Sequence, residues 1–200
     1  MKETVLITGA TRGLGYCLAN KFEEEGHSIF RHMGKTHYDL KDLNSISKLA
    51  SEAKEFGVSL LINNAGLLCP GIKFSDYSKK QISEMLDINL KAPILLTSML
   101  LDNLNGLINI NSIIGLEFKP YRTIYSATKW GLRGFSNSLR MEKNDINVLD
   151  VYTSRFQDPD NSKCMDINKV VNSIYDSYIN KENELIMDGR PSSFRNLKSS

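Results

Sequence analysis

Short apolar runs alternate with longer amphipathic segments along most of the chain. The runs are largely apolar, as expected of strands buried on both faces, whereas the longer segments repeat their apolar residues at helical spacing. The pattern predicts strands at 4–8, 28–31, 60–62, 107–111, 146–151 and 184–187, and helices at about 13–25, 43–56, 81–99, 125–141 and 167–179. Alternating strands and helices predict an α/β fold, a doubly wound parallel sheet with helices on both faces.

The connection after the second strand interrupts this alternation. Only a few residues separate Arg31 from Tyr38-Asp39-Leu40, too few for the crossover helix that a parallel connection normally contains. We expect a shortened connection here, with only a token third strand. Asp42 or Asn44 is expected to cap the helix that follows.

Two turns of small residues follow predicted strands. The first, Gly9 to Gly15, reads G-x-x-x-G-x-G and stands between a strand and a helix. Gly9 permits a tight turn, while Gly13 and Gly15 allow close approach of a ligand, and a helix N-terminus binds pyrophosphate well. The second turn is Asn63 to Gly66. Both fall at strand ends, where ligands bind in open α/β sheets; a glycine-rich turn without a ligand is the alternative.

Tyr125 and Lys129 stand four residues apart on a predicted helix and therefore on one face. A cation so close is expected to lower the pKa of the phenol, and a Tyr tuned in this way can exchange a proton with a carbonyl or an alcohol. The alternative is a surface pair on an amphipathic helix. Asn89 lies inside another predicted helix, where Asn has poor propensity and needs a reason.

Together these residues resemble the short-chain dehydrogenase/reductase family. Thr8 to Gly15 is similar to its TGxxxGxG turn, and Asn63 to Gly66 to its NNAG stretch. The resemblance runs from about Thr4 to Val151, and more loosely to Met187. It implies a Rossmann fold and a catalytic tetrad that falls in the family's order at Asn89, Ser112, Tyr125 and Lys129.

The resemblance also implies a role for each member of the tetrad. Tyr125 is expected to be the general acid/base, and Lys129 to lower the pKa of Tyr125 and to hold the nicotinamide ribose. Ser112 is expected to bind the substrate oxygen. Asn89 is expected to hold a water in a proton relay, which explains its place inside a helix.

A nicotinamide cofactor follows from the same resemblance, with Asp39 at the adenine and Asn64, Ala65 and Gly66 along the adenosine half. NAD-preferring members usually have a carboxylate where this chain has Arg31 to Gly34, so we expect NADP(H) to be favoured over NAD(H), with Arg12 or Arg31 at the 2′-phosphate. Solvated arginines are the alternative. The expected cofactor-binding residues are Gly9, Thr11, Arg12, Gly13, Leu14, Gly15, Arg31, Asp39, Leu40, Asn64, Ala65, Gly66, Tyr125 and Lys129.

The chain departs from the family pattern at the substrate end. It is short for a classical member, Thr153-Ser154 replaces the usual Pro-Gly, and the lid at 157–163 is brief and polar. An open, shallow site is expected, or one completed by a partner. The expected wall residues are Leu67, Leu68, Cys69, Tyr121, Tyr152, Arg155 and Phe156.

Composition adds several limits. The 200 residues indicate one domain, which we place at 1–189 with a frayed tail at 190–200. A net charge of +2 favours neither nucleic acid nor a membrane as a partner. Three scattered cysteines indicate reduced thiols in the cytoplasm, and the spacing of the three histidines suits no metal site. Many family members form dimers or tetramers in which the helices that correspond to those of Asn89 and Tyr125 pack against the same helices of another subunit. A homodimer or homotetramer is therefore expected.

The preferred interpretation is an NADP(H)-dependent oxidoreductase that interconverts a carbonyl and an alcohol on a small molecule. One alternative is a dinucleotide-binding sensor or scaffold without turnover, which the trimmed lid favours and the intact tetrad disfavours. Another is a nucleotide-sugar epimerase or dehydratase, although those enzymes usually carry a larger C-terminal substrate domain.

Overall fold

The computed structural model describes residues 2–68, 71–154 and 165–190. Within them, six parallel strands form one sheet in the order β2-β1-β3-β4-β5-β6. The strands are β1 Thr4–Ile7, β2 Ser28–Arg31, β3 Leu60–Asn63, β4 Gly106–Ser112, β5 Asn147–Thr153 and β6 Glu184–Met187. The strand order reverses between β1 and β3, which opens a crevice at the carboxyl ends of those strands. The predicted fold class is confirmed.

Helices cover both faces of the sheet. They are α1 Gly13–Glu24, α2 Leu43–Glu55, α3 Lys79–Leu86, α4 Ala92–Leu100, α5 Thr123–Glu142 and α6 Ile167–Ile179. A π-helical turn, Asp87–Lys91, joins α3 to α4. The single helix expected over 81–99 is therefore continuous but contains a local change of helical hydrogen bonding.

Alternation along the strands divides the core into two layers. Val5 and Ile7 of β1 pack with α1 and α6, whereas Leu6 between them packs with α2 and α4 on the other face. The same alternation separates Ile62 from Leu61 in β3. Successive side chains of a strand point to opposite faces, so a continuous apolar run is what a sheet covered on both sides requires.

The connection between β2 and α2 differs from expectation. Residues 32–42 contain neither helix nor strand, so the predicted token third strand is wrong and β2 is an edge of the sheet. Leu40 instead packs into the core beside Leu6. Asp42, one of the two predicted caps, accepts the Ser45 N–H at 2.8 Å and begins α2.

Two further expectations concern the C-terminal tail and helices that could span a membrane. Of the expected frayed tail, Arg190 is ion-paired to Glu117 and Asp188, and residues 191–200 lie outside the described part. In the described ranges no helix is both long and apolar enough to cross a bilayer.

Candidate active site

The two small-residue turns meet at the carboxyl end of β1. The Thr8 hydroxyl accepts the N–H groups of Asn64 at 2.9 Å and Ala65 at 3.0 Å. The Asn64 amide in return donates to the carbonyls of Thr8 at 2.8 Å and Gly9 at 3.2 Å. The expected cofactor turn and the NNAG stretch therefore form one hydrogen-bonded unit.

Glycine is required in this unit for two different reasons. A Cβ on Gly15 would lie 2.4 Å from the Gly9 carbonyl oxygen, so a side chain there collides with backbone. Gly13 has φ +56°, and a Cβ built on it meets nothing within 4 Å. The turn is thus packed on its inner side and open on its outer side, next to the N-terminus of α1.

The N-terminus of α1 has the features of an anion site. Its N-cap, Arg12, has extended backbone and makes no side-chain capping bond, and the first turn holds no acidic residue. The first N–H groups of a helix lack intrahelical partners and carry a positive partial charge. A phosphate therefore fits these residues. Leu14 is buried in the core, so its contribution to a ligand is limited to its backbone.

Ser112, Tyr125 and Lys129 come together at the carboxyl end of β4. Ser112 ends the strand beside the Tyr125 phenol, and its hydroxyl accepts the Ile114 N–H at 3.3 Å. Lys129 is 5% exposed; its ammonium donates to the Ile110 carbonyl at 2.9 Å and lies 5.7 Å from the Tyr125 ring centre. The structure thus brings three of the four predicted tetrad residues into one group.

The electrostatics of this group differ from the sequence-based expectation. Burial raises the pKa of Tyr125, and the nearby Ser112 hydroxyl opposes that rise. Burial lowers the pKa of Lys129 to about 8, while the carboxylate of Asp150 raises it. The expectation of a lowered pKa for Tyr125 is wrong for this arrangement, because desolvation of the phenol outweighs the opposing effects.

Asn89, the fourth predicted tetrad residue, lies in the π turn and is buried. Its amide accepts the Leu67 N–H at 2.7 Å and donates to the Leu67 carbonyl at 2.8 Å. It also approaches the Thr128 hydroxyl at 3.4 Å. The side chain therefore holds the segment after Gly66 against α5, a role that the sequence did not indicate. Single π turns inside helices are frequent at functional sites.

A buried polar chain lies behind the site and was missed from sequence. Asn63 donates to Asn109 at 2.9 Å, Asn109 donates to Ser136 at 2.9 Å, and Ser136 lies 2.8 Å from Asp150. Arg140 completes the chain at 2.9 Å from the other Asp150 oxygen. Burial raises the pKa of Asp150 to about 6 against the opposing effects of Ser136 and Arg140. The feature of the sequence that could have indicated this polar chain was Asp150, an acidic residue inside a largely apolar strand.

The expected adenosine-side residues have varied surroundings. Arg12 and Thr11 are exposed beside the glycine turn, and Arg12 pairs with no carboxylate among the described residues. Arg31 is turned onto α1, where it pairs with Glu23 at 2.9 Å. Asp39 is half-buried and accepts the Lys41 N–H at 3.0 Å.

The expected substrate wall is only partly present. Leu67, Leu68 and Tyr121 are exposed, and Tyr121 has φ +62°, a strained conformation for a bulky residue. Tyr152 is fully buried in β5, so its assignment to the wall is wrong. The remaining wall residues, Cys69, Arg155 and Phe156, and the expected lid at 157–163 lie outside the described residues.

Ser154, which stands where the family usually has glycine, ties the last strand to the site. Its hydroxyl accepts the Gly189 N–H at 3.0 Å. The next residue, Arg190, pairs with Glu117 at 2.6 Å, in the loop that follows Ser112. The segment after β6 is therefore fastened across the carboxyl end of the sheet.

A parallel sheet that carries two joined small-residue turns and a Ser-Tyr-Lys group at its carboxyl end defines a Rossmann-fold oxidoreductase. Residues 31–163 match the family model described as short chain dehydrogenase. The chain belongs to the short-chain dehydrogenase/reductase family.

Individual relatives agree with this assignment. The chain is 27% identical to a ketoacyl reductase, HetN, of Nostoc sp., over 94% of this chain and 79% of the relative. It is 30% identical to the 3-oxoacyl-[acyl-carrier-protein] reductase FabG of Buchnera aphidicola, over 70% of this chain and 67% of the relative. Among solved structures, a bulky-bulky ketone specific alcohol dehydrogenase from Comamonas testosteroni has the same fold, with a TM-score of 0.82 at 24% identity over 92% of this chain and 85% of that one.

Proposed function

We propose that this protein is an NADP(H)-dependent oxidoreductase that interconverts a carbonyl and an alcohol, with Tyr125 as general acid/base. The observation that carries the proposal is the proximity of Ser112, Tyr125 and the buried Lys129 in one group. The three side chains stand at the carboxyl end of β4, on the side of the sheet to which the glycine turn also opens.

The chain offers a consistent place for the cofactor. The open side of Gly13 and the uncapped start of α1 suit the pyrophosphate of the cofactor. Asn64 to Gly66 are assigned to its adenosine half. The Lys129 ammonium is the group we assign to the nicotinamide ribose. When bound, the nicotinamide supplies or accepts the hydride, while the protein supplies position and charge.

The proton chemistry follows from the burial of the two titratable groups. Because burial raises the pKa of Tyr125, the phenol is protonated at neutral pH and can donate its proton to a carbonyl that is being reduced. The Ser112 hydroxyl is placed to donate to the same oxygen as negative charge develops on it. Lys129, with a pKa of about 8, is still mostly cationic at pH 7 and favours the phenolate that forms.

The preference for NADP(H) rests on two features of β2 and the glycine turn. Arg12 is exposed at the turn, and no carboxylate occurs at positions 31–34 to receive a ribose 2′-hydroxyl. We assign the 2′-phosphate to Arg12, because Arg31 is already paired with Glu23.

The cofactor assignment is tested by titrating NADPH and NADH into the protein and following nicotinamide fluorescence. We expect tighter binding of NADPH, and an Arg12→Ala variant that loses about tenfold or more in NADPH affinity while NADH binding changes little. Arg31→Ala is the matched control and should leave the NADPH/NADH ratio unchanged. A preference for NADH would refute the 2′-phosphate assignment but leave the dehydrogenase assignment standing.

Catalysis is tested with a panel of carbonyl substrates that begins with 3-oxoacyl thioesters and ketones with apolar substituents, as the names of the relatives suggest. Tyr125→Phe should lower turnover by about 10²–10⁴-fold while cofactor binding persists. Cofactor binding with no turnover on any substrate would instead favour the sensor or scaffold.

We also propose a homodimer or homotetramer formed through the outer face of α3 and α4, in a cytoplasmic protein. Leu86, Leu90, Ile94 and Leu95 make an apolar groove on that face, and Leu90 packs against Gly131 of α5. Leu86 is 39% exposed, which is costly for an apolar side chain that stays in water. Sedimentation of the wild type and of a Leu86→Glu variant tests this, and a monomeric wild type would refute it.

A further inference from the structure

His32 lies directly after β2 and is 3% exposed. Its Nδ1 accepts the Gly9 N–H at 3.0 Å, and its Nε2 lies 2.9 Å from the Tyr38 carbonyl oxygen. A backbone N–H can only donate a hydrogen bond and a carbonyl can only accept one, so Nδ1 must be unprotonated and Nε2 must carry the proton. The two contacts therefore require a neutral ring in one tautomer.

The ring joins the glycine turn to the shortened connection between β2 and α2. On the turn side, Gly9 bonds to the ring, and the next residue, Ala10, donates to the His32 carbonyl at 3.2 Å. On the other side, Tyr38 precedes Asp39, the residue assigned to the adenine. Residues 32–42 contain no strand or helix of their own, so the ring is a main link between this segment and the turn.

We propose that His32 is a positioning residue for the dinucleotide, and that only its neutral form holds the glycine turn in the binding geometry. The inference rests on the proposed function, because it concerns the same cofactor site. Protonation of Nδ1 would place its N–H opposite the Gly9 N–H. Because both groups are donors, the hydrogen bond to Gly9 would break. The backbone hydrogen bond from Ala10 to the His32 carbonyl would remain, so only the contact between Gly9 and the His32 side chain would be lost.

The surroundings of the ring favour the neutral form. Burial lowers the pKa of His32, the Tyr38 carbonyl opposes that effect, and the charge of His37 lowers the pKa further. Tyr38 also faces the ring at 6.2 Å between ring centres, and its hydroxyl donates to Glu52 of α2. Arg31, the preceding residue, is directed onto α1. The ring is therefore neutral at pH 7 and becomes charged only in acid.

A second histidine provides a matched control. His27 precedes β2, at the opposite end of the same strand, and is 6% exposed. Its Nδ1 accepts the Glu3 N–H at 3.0 Å, and burial lowers its pKa too. His27 thus has the same kind of bond and similar burial but lies at the amino end of the sheet, away from both turns.

The test is the dissociation constant of NADPH, measured by nicotinamide fluorescence between pH 5 and pH 8, beside the thermal stability of each variant. We expect His32→Leu to weaken binding at pH 7.5 by about fivefold or more, equivalent to one hydrogen bond of ~1 kcal/mol, and His27→Leu to change it by less than about twofold. His32→Asn places an amide oxygen near the position of Nδ1 and does not titrate. It should bind like the wild type at pH 7.5 and lack the wild type's extra weakening below about pH 6.5.

Several outcomes would overturn the inference. Unchanged binding by a folded His32→Leu variant would do so, as would equal losses in the His32→Leu and His27→Leu variants. Wild-type binding that tightens in acid relative to His32→Asn would show that a charged His32 attracts phosphate instead. If His32→Leu does not fold, the pH comparison of wild type with His32→Asn decides alone. A wild type that binds neither NADPH nor NADH would overturn the proposed function together with this inference.

Discussion

The Thr8 hydroxyl is the junction between the two turns, and its removal should loosen both. Thr8 is 2% exposed, and one oxygen atom accepts the N–H groups of Asn64 and Ala65. The hydroxyl itself is directed to the Ile62 carbonyl at 3.4 Å, a weak bond. Thr8→Val keeps the shape of the side chain and removes only the oxygen, so it separates hydrogen bonding from packing.

The cost of Thr8→Val can be estimated from the two donors that it leaves unpaired. A buried N–H without a partner costs about 1–3 kcal/mol. Asn64 and Ala65 are only half-buried, so water offsets part of this cost and the lower part of the range applies to each. We therefore expect a loss of roughly 2–3 kcal/mol in the free energy of unfolding, a large share of the ~5–15 kcal/mol typical of a domain.

Urea unfolding followed by circular dichroism measures this loss as a lower midpoint at an unchanged slope. Thr8→Ser is the control, because it keeps the oxygen and loses one buried methyl group, worth about 1 kcal/mol. NADPH affinity should fall in the Val variant and stay nearly unchanged in the Ser variant. A Val variant as stable as the Ser variant would refute the argument that the shared hydroxyl holds the turns together.

Three further predictions concern the buried charge of Asp150, the ion pair between Glu117 and Arg190, and two glycines. The raised pKa of Asp150, about 6, means that its contribution to stability is complete below its unfolded pKa near 3.8 and is lost as the pH rises through 6. Wild type should therefore lose roughly 1–3 kcal/mol between pH 4 and pH 7 relative to Asp150→Asn in urea unfolding, and parallel pH profiles would contradict this. Glu117→Gln removes the charge that pairs with Arg190 and should raise the KM for substrate about twofold to tenfold with little change in NADPH affinity; an unchanged KM would show that this tie does not shape the substrate site. Gly15→Ala should lower thermal stability, because its Cβ meets the backbone, whereas Gly134→Ala on α5, where nothing lies within 4 Å of a Cβ, should raise stability by about 0.5–1 kcal/mol; equal effects would contradict both.

The local pattern of the chain was sufficient to predict most of the architecture. Largely apolar runs are required wherever helices cover both faces of a sheet, so β1, β3, β4 and β5 were visible as strands. The glycine turn and the Tyr125 helix were visible for the same kind of reason, because tight turns and helix faces depend on residues close together in the chain. The third strand was predicted wrongly, since a short stretch such as Tyr38-Asp39-Leu40, with apolar residues on either side of an Asp, serves equally well as a loop packed on the core.

The properties of individual side chains depended instead on neighbours that are distant in sequence. The direction of the pKa shift of Tyr125 is set by its burial in the folded protein, and the pairing of Arg31 with Glu23 is set by how α1 packs against β2. The role of His32 was invisible in sequence because both of its partners are backbone groups, which any residue type supplies. Local pattern thus determines where strands, turns and helices lie, because it acts within a few residues. Protonation, pairing and access are decided by tertiary structure, because only folding brings the partners together and removes the water between them.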